Sequence, residues 1–199
     1  MYKKIKEIIS ELNEQNISSE RKDVLQELIN YIQFKRNTNS QINLNFICTH
    51  NSRRSQLAQI WASVASEYFG IELKTFSGGV EATSFNENAV KSLEKFGFLI
   101  NKINSIHELR YSEERGPEIM FSKIFNDKTN PSTNFCAVMT CSDAEENCPY
   151  IPGAEKRISI KYDDPKEFDG TSVQNEKYDQ TSKKIANEMF YIFSKIKIK

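Results

Sequence analysis

The chain has 199 residues and 38% hydrophobic content, enough for one core, and its 27 Lys and Arg balance 27 Asp and Glu for a formal charge of +0. That balance argues against a protein held to nucleic acid or to an anionic membrane by bulk charge. No apolar run approaches the roughly 18 residues of a membrane span, and Met1-Tyr2-Lys3-Lys4-Ile5-Lys6-Glu7 lacks the apolar stretch and cleavage site of a secretory signal. The expectation is one domain with an appendage, a cytoplasmic location, and neither nucleic acid nor membrane as partner.

The first 41 residues read as two helices, a helical hairpin appended to the domain. Ile5, Ile8, Ile9 and Leu12 recur at helical spacing. Ser19 is the expected N-cap of the second helix, with Val24, Leu25, Leu28, Ile29 and Ile32 as its apolar stripe. Residues 42–48 then read as a strand, 55–69 as a helix and 71–77 as a second strand. A further helix is predicted over 84–96, opened by the capping-box pattern Ser84-Phe85-Asn86-Glu87. Residues 118–125, 134–141 and 157–161 are further strand candidates, and a long helix over about 172–195 closes the chain. Phe135-Cys136-Ala137-Val138-Met139 is apolar without alternation, as a strand buried on both faces requires. Strands alternating with helices predict an α/β fold: a three-layer sandwich with a central, mainly parallel sheet.

Four cysteines are present, Cys48, Cys136, Cys141 and Cys148, and two histidines, His50 and His107. Their spacing offers no pair of C-x2-C motifs for structural zinc. In a reducing compartment such thiols are expected to be catalytic, metal-binding or buried rather than permanently bridged. Cys136, inside a strand, reads as packing.

The informative stretch is Cys48-Thr49-His50-Asn51-Ser52-Arg53-Arg54-Ser55-Gln56, between a predicted strand and a predicted helix. A C-x5-R loop at such a junction can curl so that successive N–H groups face one oxyanion, beside the positive end of the helix. Arg54 can grip two oxygens of a tetrahedral anion. Cys48, in that field, is expected to act as a thiolate nucleophile. Ser55 can donate to its sulfur and Asn51 can brace the loop. Thr49, His50, Asn51, Ser52, Arg53 and Ser55 are therefore the expected oxyanion-binding residues around Cys48 and Arg54.

This loop resembles that of the low-molecular-weight protein tyrosine phosphatase superfamily, and most closely the C-T-G-N-S-C-R-S-Q loop of its thioredoxin-coupled arsenate reductase branch. Ser77-Gly78-Gly79-Val80-Glu81-Ala82, followed by Asn86-Glu87-Asn88-Ala89-Val90, resembles the family's next loop and helix. Cys141-Ser142-Asp143-Ala144-Glu145-Glu146-Asn147-Cys148-Pro149 resembles the reductase's redox pair, and Asp163-Asp164-Pro165 with Gly170-Thr171 the loop of its general acid. The resemblance spans 42–199, a phosphatase-like domain, and leaves 1–41 as an N-terminal helical extension. Arg53 stands where many relatives have a second loop cysteine, and His50 replaces a common Gly. Gln59 stands where some reductases carry a carboxylate associated with potassium, so no ion is assigned.

The resemblance implies an enzyme without a cofactor or bound metal, acting on arsenate or a phosphate-like oxyanion, with thioredoxin as external reductant. It implies a relay from Cys48 to Cys141 to Cys148, with Asp164 assisting loss of oxygen. If the segment between Cys141 and Cys148 were helical, seven residues would hold them ~10.5 Å apart. A disulfide needs Cα atoms about 4.4–6.8 Å apart, so the pair could bridge only after that segment unwinds. The alternative is a phosphotyrosine phosphatase that uses Cys48, Arg54 and Asp164 and needs neither other thiol. The chain between His107 and Asn134 is longer than in usual reductases. One expectation is that Glu113, Arg115 and Phe121 of that stretch border the active-site mouth.

Overall fold

The computed structural model describes residues 1–147 and 150–197. Its elements are α1 (Lys3–Ser10), α2 (Ser19–Asn37), β1 (Asn43–Cys48), α3 (Arg54–Tyr68), β2 (Lys74–Gly79), α4 (Glu87–Lys95), β3 (Leu99–Ile103), β4 (Ile106–Arg110), β5 (Glu118–Met120), β6 (Phe135–Met139), α5 (Ser142–Asn147), β7 (Ala154–Ser159) and α6 (Gln174–Ser194). Short 3-10 turns lie at Glu14–Asn16 and Pro165–Phe168.

The central sheet is parallel, in the order β2-β1-β6-β7. Its two middle strands are buried at every position, and their side chains divide by alternation. Leu44, Phe46, Cys136 and Val138 face the main core with Trp61 of α3 and Phe193 of α6. Ile47, Phe135, Ala137 and Met139 enter a smaller cluster closed by Ala144 of α5. This places helices on both faces of one parallel sheet, the three-layer arrangement expected from the sequence. Trp61 is fully buried, and its indole N–H donates to Ser182 Oγ at 2.9 Å, tying α3 to α6.

Both N-terminal helices contribute to the main core, through Ile5, Ile9, Leu25, Leu28 and Ile32. They have different neighbours. The Tyr2 N–H, at the start of α1, donates to Tyr111 O at 2.9 Å. The α2 helix lies against α6 and β7: Arg21 pairs in bidentate fashion with buried Glu188 at 2.8 Å, and Tyr31 and Lys35 both reach Glu155. Val24 faces outward rather than into the stripe. The cap is Ser18, one residue before the expected Ser19, its Oγ accepting from the Arg21 N–H at 3.2 Å.

Other boundaries move for local reasons. The second strand begins at Lys74 rather than 71. The α4 helix begins at Glu87, because Asn86 rather than Ser84 is the cap, accepting from the N–H groups of Asn88 and Ala89. The strand expected over 118–125 stops at Met120, and Ile124 makes only an isolated pairing with Gly79. That strand belongs to a second, antiparallel sheet, β3-β4-β5, whose first two strands the sequence reading missed. They join through Asn104, which takes a left-handed φ of 57°.

Candidate active site

The loop between β1 and α3 is held from outside by its carbonyls. Val80 N–H donates to Cys48 O at 3.1 Å, Glu81 N–H to Thr49 O at 2.8 Å, and Asn86 N–H to Ser52 O at 2.9 Å. Ser122 Oγ donates to His50 O at 2.9 Å, and Gln56 Nε2 to Asn51 O at 2.7 Å. Every carbonyl from Cys48 to Ser52 is thus engaged beyond the ring. The N–H groups of residues 49–53 have no acceptor among the described residues. Backbone donors rarely go without a partner in protected positions, so five in succession form a ready cradle for an anion.

Asn51 lets the chain make this turn. Its φ is 46°, in the left-handed region that Asn tolerates better than most residues. Its buried side chain works at both ends: Oδ1 accepts from Lys123 N–H at 2.9 Å and Nδ2 donates to Ser55 Oγ at 2.9 Å. With that oxygen already accepting, the Ser55 hydroxyl hydrogen is free for Cys48 Sγ, 3.0 Å away. Gly79, at the end of β2, is required by close approach. A Cβ there would fall 2.3 Å from Glu81 O and 2.7 Å from Asn51 N.

Arg54 opens α3 beside the cradle. Its Nη1 donates to Tyr162 O at 3.0 Å, and its Nη2 lies 2.8 Å from Asp164 Oδ2. Asp164 also caps the 3-10 turn through Lys166 N–H. Asp163 points into solvent, 3.9 Å from Lys184. The Arg53 side chain reaches Tyr178 OH at 2.8 Å and lies 3.6 Å from Asp169 and 3.9 Å from Asp164 Oδ1, while Tyr178 donates to Asp169 at 2.8 Å. Burial, then the hydrogen bond to Asp169, pushes the Tyr178 hydroxyl above its ordinary range. The His50 ring lies at the rim, 3.7 Å from Glu81, so His50 reaches the cradle through its backbone.

Cys141 follows the end of β6, next to β1, and shares the smaller buried cluster with Cys48. Its sulfur lies 3.4 Å from Thr49 Oγ1 and accepts from the Ala144 N–H of α5 at 3.4 Å. Cys48, Cys136 and Cys141 are free thiols. Burial pushes the Cys136 thiol far above its ordinary value, which suits packing. Cys148 lies outside the described residues, and α5 before it is helical.

The structure therefore brings Cys48, Thr49, Asn51, Ser52, Arg54, Ser55, Asp164 and Cys141 together. It also adds residues that sequence reasoning missed. Ser122 and Lys123 carry no motif, and only the fold sets them against the loop; Asn86 was read as part of a helix opening, not as a support of the loop. Tyr178 and Asp169 clasp Arg53 from α6 and the acid loop. The expectation for Glu113 and Arg115 is corrected. Arg115 pairs with Glu67, at the end of α3 remote from Cys48, so this part of the longer stretch is not at the mouth. No group of three or more His, Cys, Asp or Glu that could hold a metal occurs among the described residues, and no helix there is long and apolar enough to cross a membrane.

No family model matches the chain. Among solved structures, a low-molecular-weight phosphotyrosine phosphatase from Vibrio cholerae O395 superposes with a TM-score of 0.54 at 13% identity, over 77% of this chain and 94% of that one. An arsenate reductase in a phosphate-binding state gives 0.52 at 18% identity, over 79% and 100%. In sequence, the arsenate reductase of Bacillus subtilis (strain 168) is 35% identical over 129 residues, 65% of this chain and 78% of the relative. Arsenate reductase 2 of Staphylococcus haemolyticus is 32% identical over 120 residues, 60% and 76%. The chain has the fold of those low-molecular-weight phosphatases, and with this identity and coverage it belongs to the arsenate reductase family.

Proposed function

We propose that this chain is a thiol-dependent arsenate reductase. The observation that carries the reading is the ring of unpartnered N–H groups at 49–53 around the Cys48 sulfur, with Cys141 against the same loop. Arsenate would sit on those donors and on Arg54. The Cys48 thiolate attacks arsenic, and one arsenate oxygen leaves as water, with Asp164 as the proton donor. The Cys141 thiolate then attacks Cys48 Sγ. The sulfur–arsenic bond breaks with its electron pair on arsenic, giving arsenite and a Cys48–Cys141 disulfide. Cys148 next attacks Cys141, restoring the Cys48 thiolate and forming a Cys141–Cys148 disulfide. The two electrons lost by the thiols are those gained by arsenic. An external dithiol, for which thioredoxin is the proposed partner, closes the cycle.

The phosphatase alternative uses the same cradle, with Asp164 first as acid and then as base for water. A thiol count on fully reduced protein, before and after stoichiometric arsenate, with peptide mapping, separates the two. Loss of two thiols with a Cys141–Cys148 bridge supports the reductase. Four thiols retained, together with hydrolysis of a phosphotyrosine peptide by a Cys141→Ser, Cys148→Ser double variant, supports the phosphatase.

A further inference from the structure

Behind the loop, between α3, β2 and the segment that follows β4, is a cavity of about 520 Å³. Gln59, Leu73, Phe76, Ile119, Phe121 and Lys123 contribute to its wall. Lys123 is only 6% exposed, yet its ammonium has no hydrogen bond or ion pair among the described residues. Its contact is the face of Phe121, with Nζ 4.4 Å from the ring centroid. Asp127 attracts it without pairing, and burial pulls its titration down to about 8. A bare ammonium in so protected a place is unfavourable unless something completes it.

The other polar groups of the wall are of both kinds. Gln59 Oε1 and Asn130 Oδ1, both of wall residues, are buried acceptors without a partner among the described residues. Arg115 and Lys74 add positive charge to the wall. Glu118 is the carboxylate there; Arg115, Ser63 and Tyr111 all meet its Oε1, and its Oε2 is buried without a partner among the described residues. Burial raises its titration range. The unpartnered Lys123 ammonium and the net positive wall call for an anion, whose bound water or acid proton can serve the neighbouring acceptors. Leu73, Phe76, Ile119 and Phe121 call for an apolar body attached to it.

We propose that this cavity is a second ligand site that takes a small organic carboxylate, its head paired with Lys123 Nζ and its short apolar body against Phe76 and Phe121. The site is separate from the cradle yet joined to it, because the Lys123 N–H holds Asn51 Oδ1. Inorganic phosphate could meet the ammonium but would leave the apolar wall bare.

The test is lysine acylation of the intact chain by an N-hydroxysuccinimide ester, read by peptide mass mapping, with sodium butyrate or inorganic phosphate as probe. Butyrate should slow modification of Lys123 several-fold, leave exposed Lys91 and Lys166 unchanged, and protect better than phosphate. Calorimetric titration with butyrate should show binding to the native chain and none to a folded Lys123→Met variant. Unchanged Lys123 modification in butyrate, protection by phosphate alone, or equal butyrate binding by the variant would overturn the proposal. The protection experiment stands without the variant.

Discussion

Arg54 Nη2 and Asp164 Oδ2 are 2.8 Å apart, so the guanidinium offered to the oxyanion also holds a carboxylate. An incoming oxyanion must share or displace that pair. The same contact brings the proposed acid to the site before substrate arrives.

Binding and turnover should therefore separate in Asp164→Ala. Removing the competing negative charge should tighten inorganic phosphate, read as a lower inhibition constant. Losing the proton donor should slow arsenate-dependent thiol loss by about 10²-fold or more. Weaker phosphate binding in this variant would mean that Asp164 holds Arg54 in place rather than competing with the ligand.

Asn51 should be among the costliest single positions in the loop. Asn51→Ala leaves the Lys123 N–H without its acceptor and forces a left-handed φ on alanine, a loss of about 2–4 kcal/mol in urea denaturation. Asn51→Gly removes the same hydrogen bonds but accepts the conformation, and should be the more stable of the two. Alkylation of Cys48 by iodoacetamide should change in both, since Ser55 loses its donor.

Tyr178→Phe tests the clasp behind the acid loop. The substitution deletes one hydroxyl that accepts from Arg53 and donates to Asp169. A stability loss of about 1 kcal/mol is expected. Single-turnover thiol loss should slow, because the loop bearing Asp164 is less firmly held, while the rate of Cys48 alkylation stays as in the native chain.

Lys123 gives a pH prediction with a definite sign. Its titration falls to about 8 in the folded chain, against about 10.4 for an unperturbed lysine. Below about 8 both states carry the charge, and the burial penalty is complete. Between the two values the unfolded chain holds the proton that the folded chain has released, so stability from this group rises with pH. Lys123→Met should raise Tm at pH 7, and its advantage over the native chain should shrink towards pH 10. A constant advantage across that range would show that the ammonium is not penalised.

The parts legible in the sequence are those where one local pattern decides the outcome. The Cys48–Arg54 spacing lies at a strand-to-helix junction, and the unbroken apolar run 135–139 could only be an interior strand. The β3–β4 pair gave no such sign, because Leu99, Ile103 and Ile106 point outward and only His107 and Leu109 alternate inward. The cap of α4 was misplaced because Ser84 and Asn86 both precede Glu87 at plausible spacings, and packing chose Asn86. The support of the loop by Ser122 and Lys123 was invisible for a different reason. Some seventy residues separate them from Asn51, and no periodicity encodes a contact of that range.

One irregularity in β7 bears on how the molecule keeps to itself. Ala154 pairs with Phe135 and Lys156 with Cys136, so Glu155 is an extra residue that bulges from an outer strand of the sheet. Tyr31 and Lys35 of α2 grip it there, and Glu27 meets Lys156 beside it. An outer strand otherwise offers a free row of N–H and C=O groups to a strand from any neighbouring chain. The bulge breaks that row and α2 lies beside it, so this edge offers a neighbouring chain a shorter run to pair with.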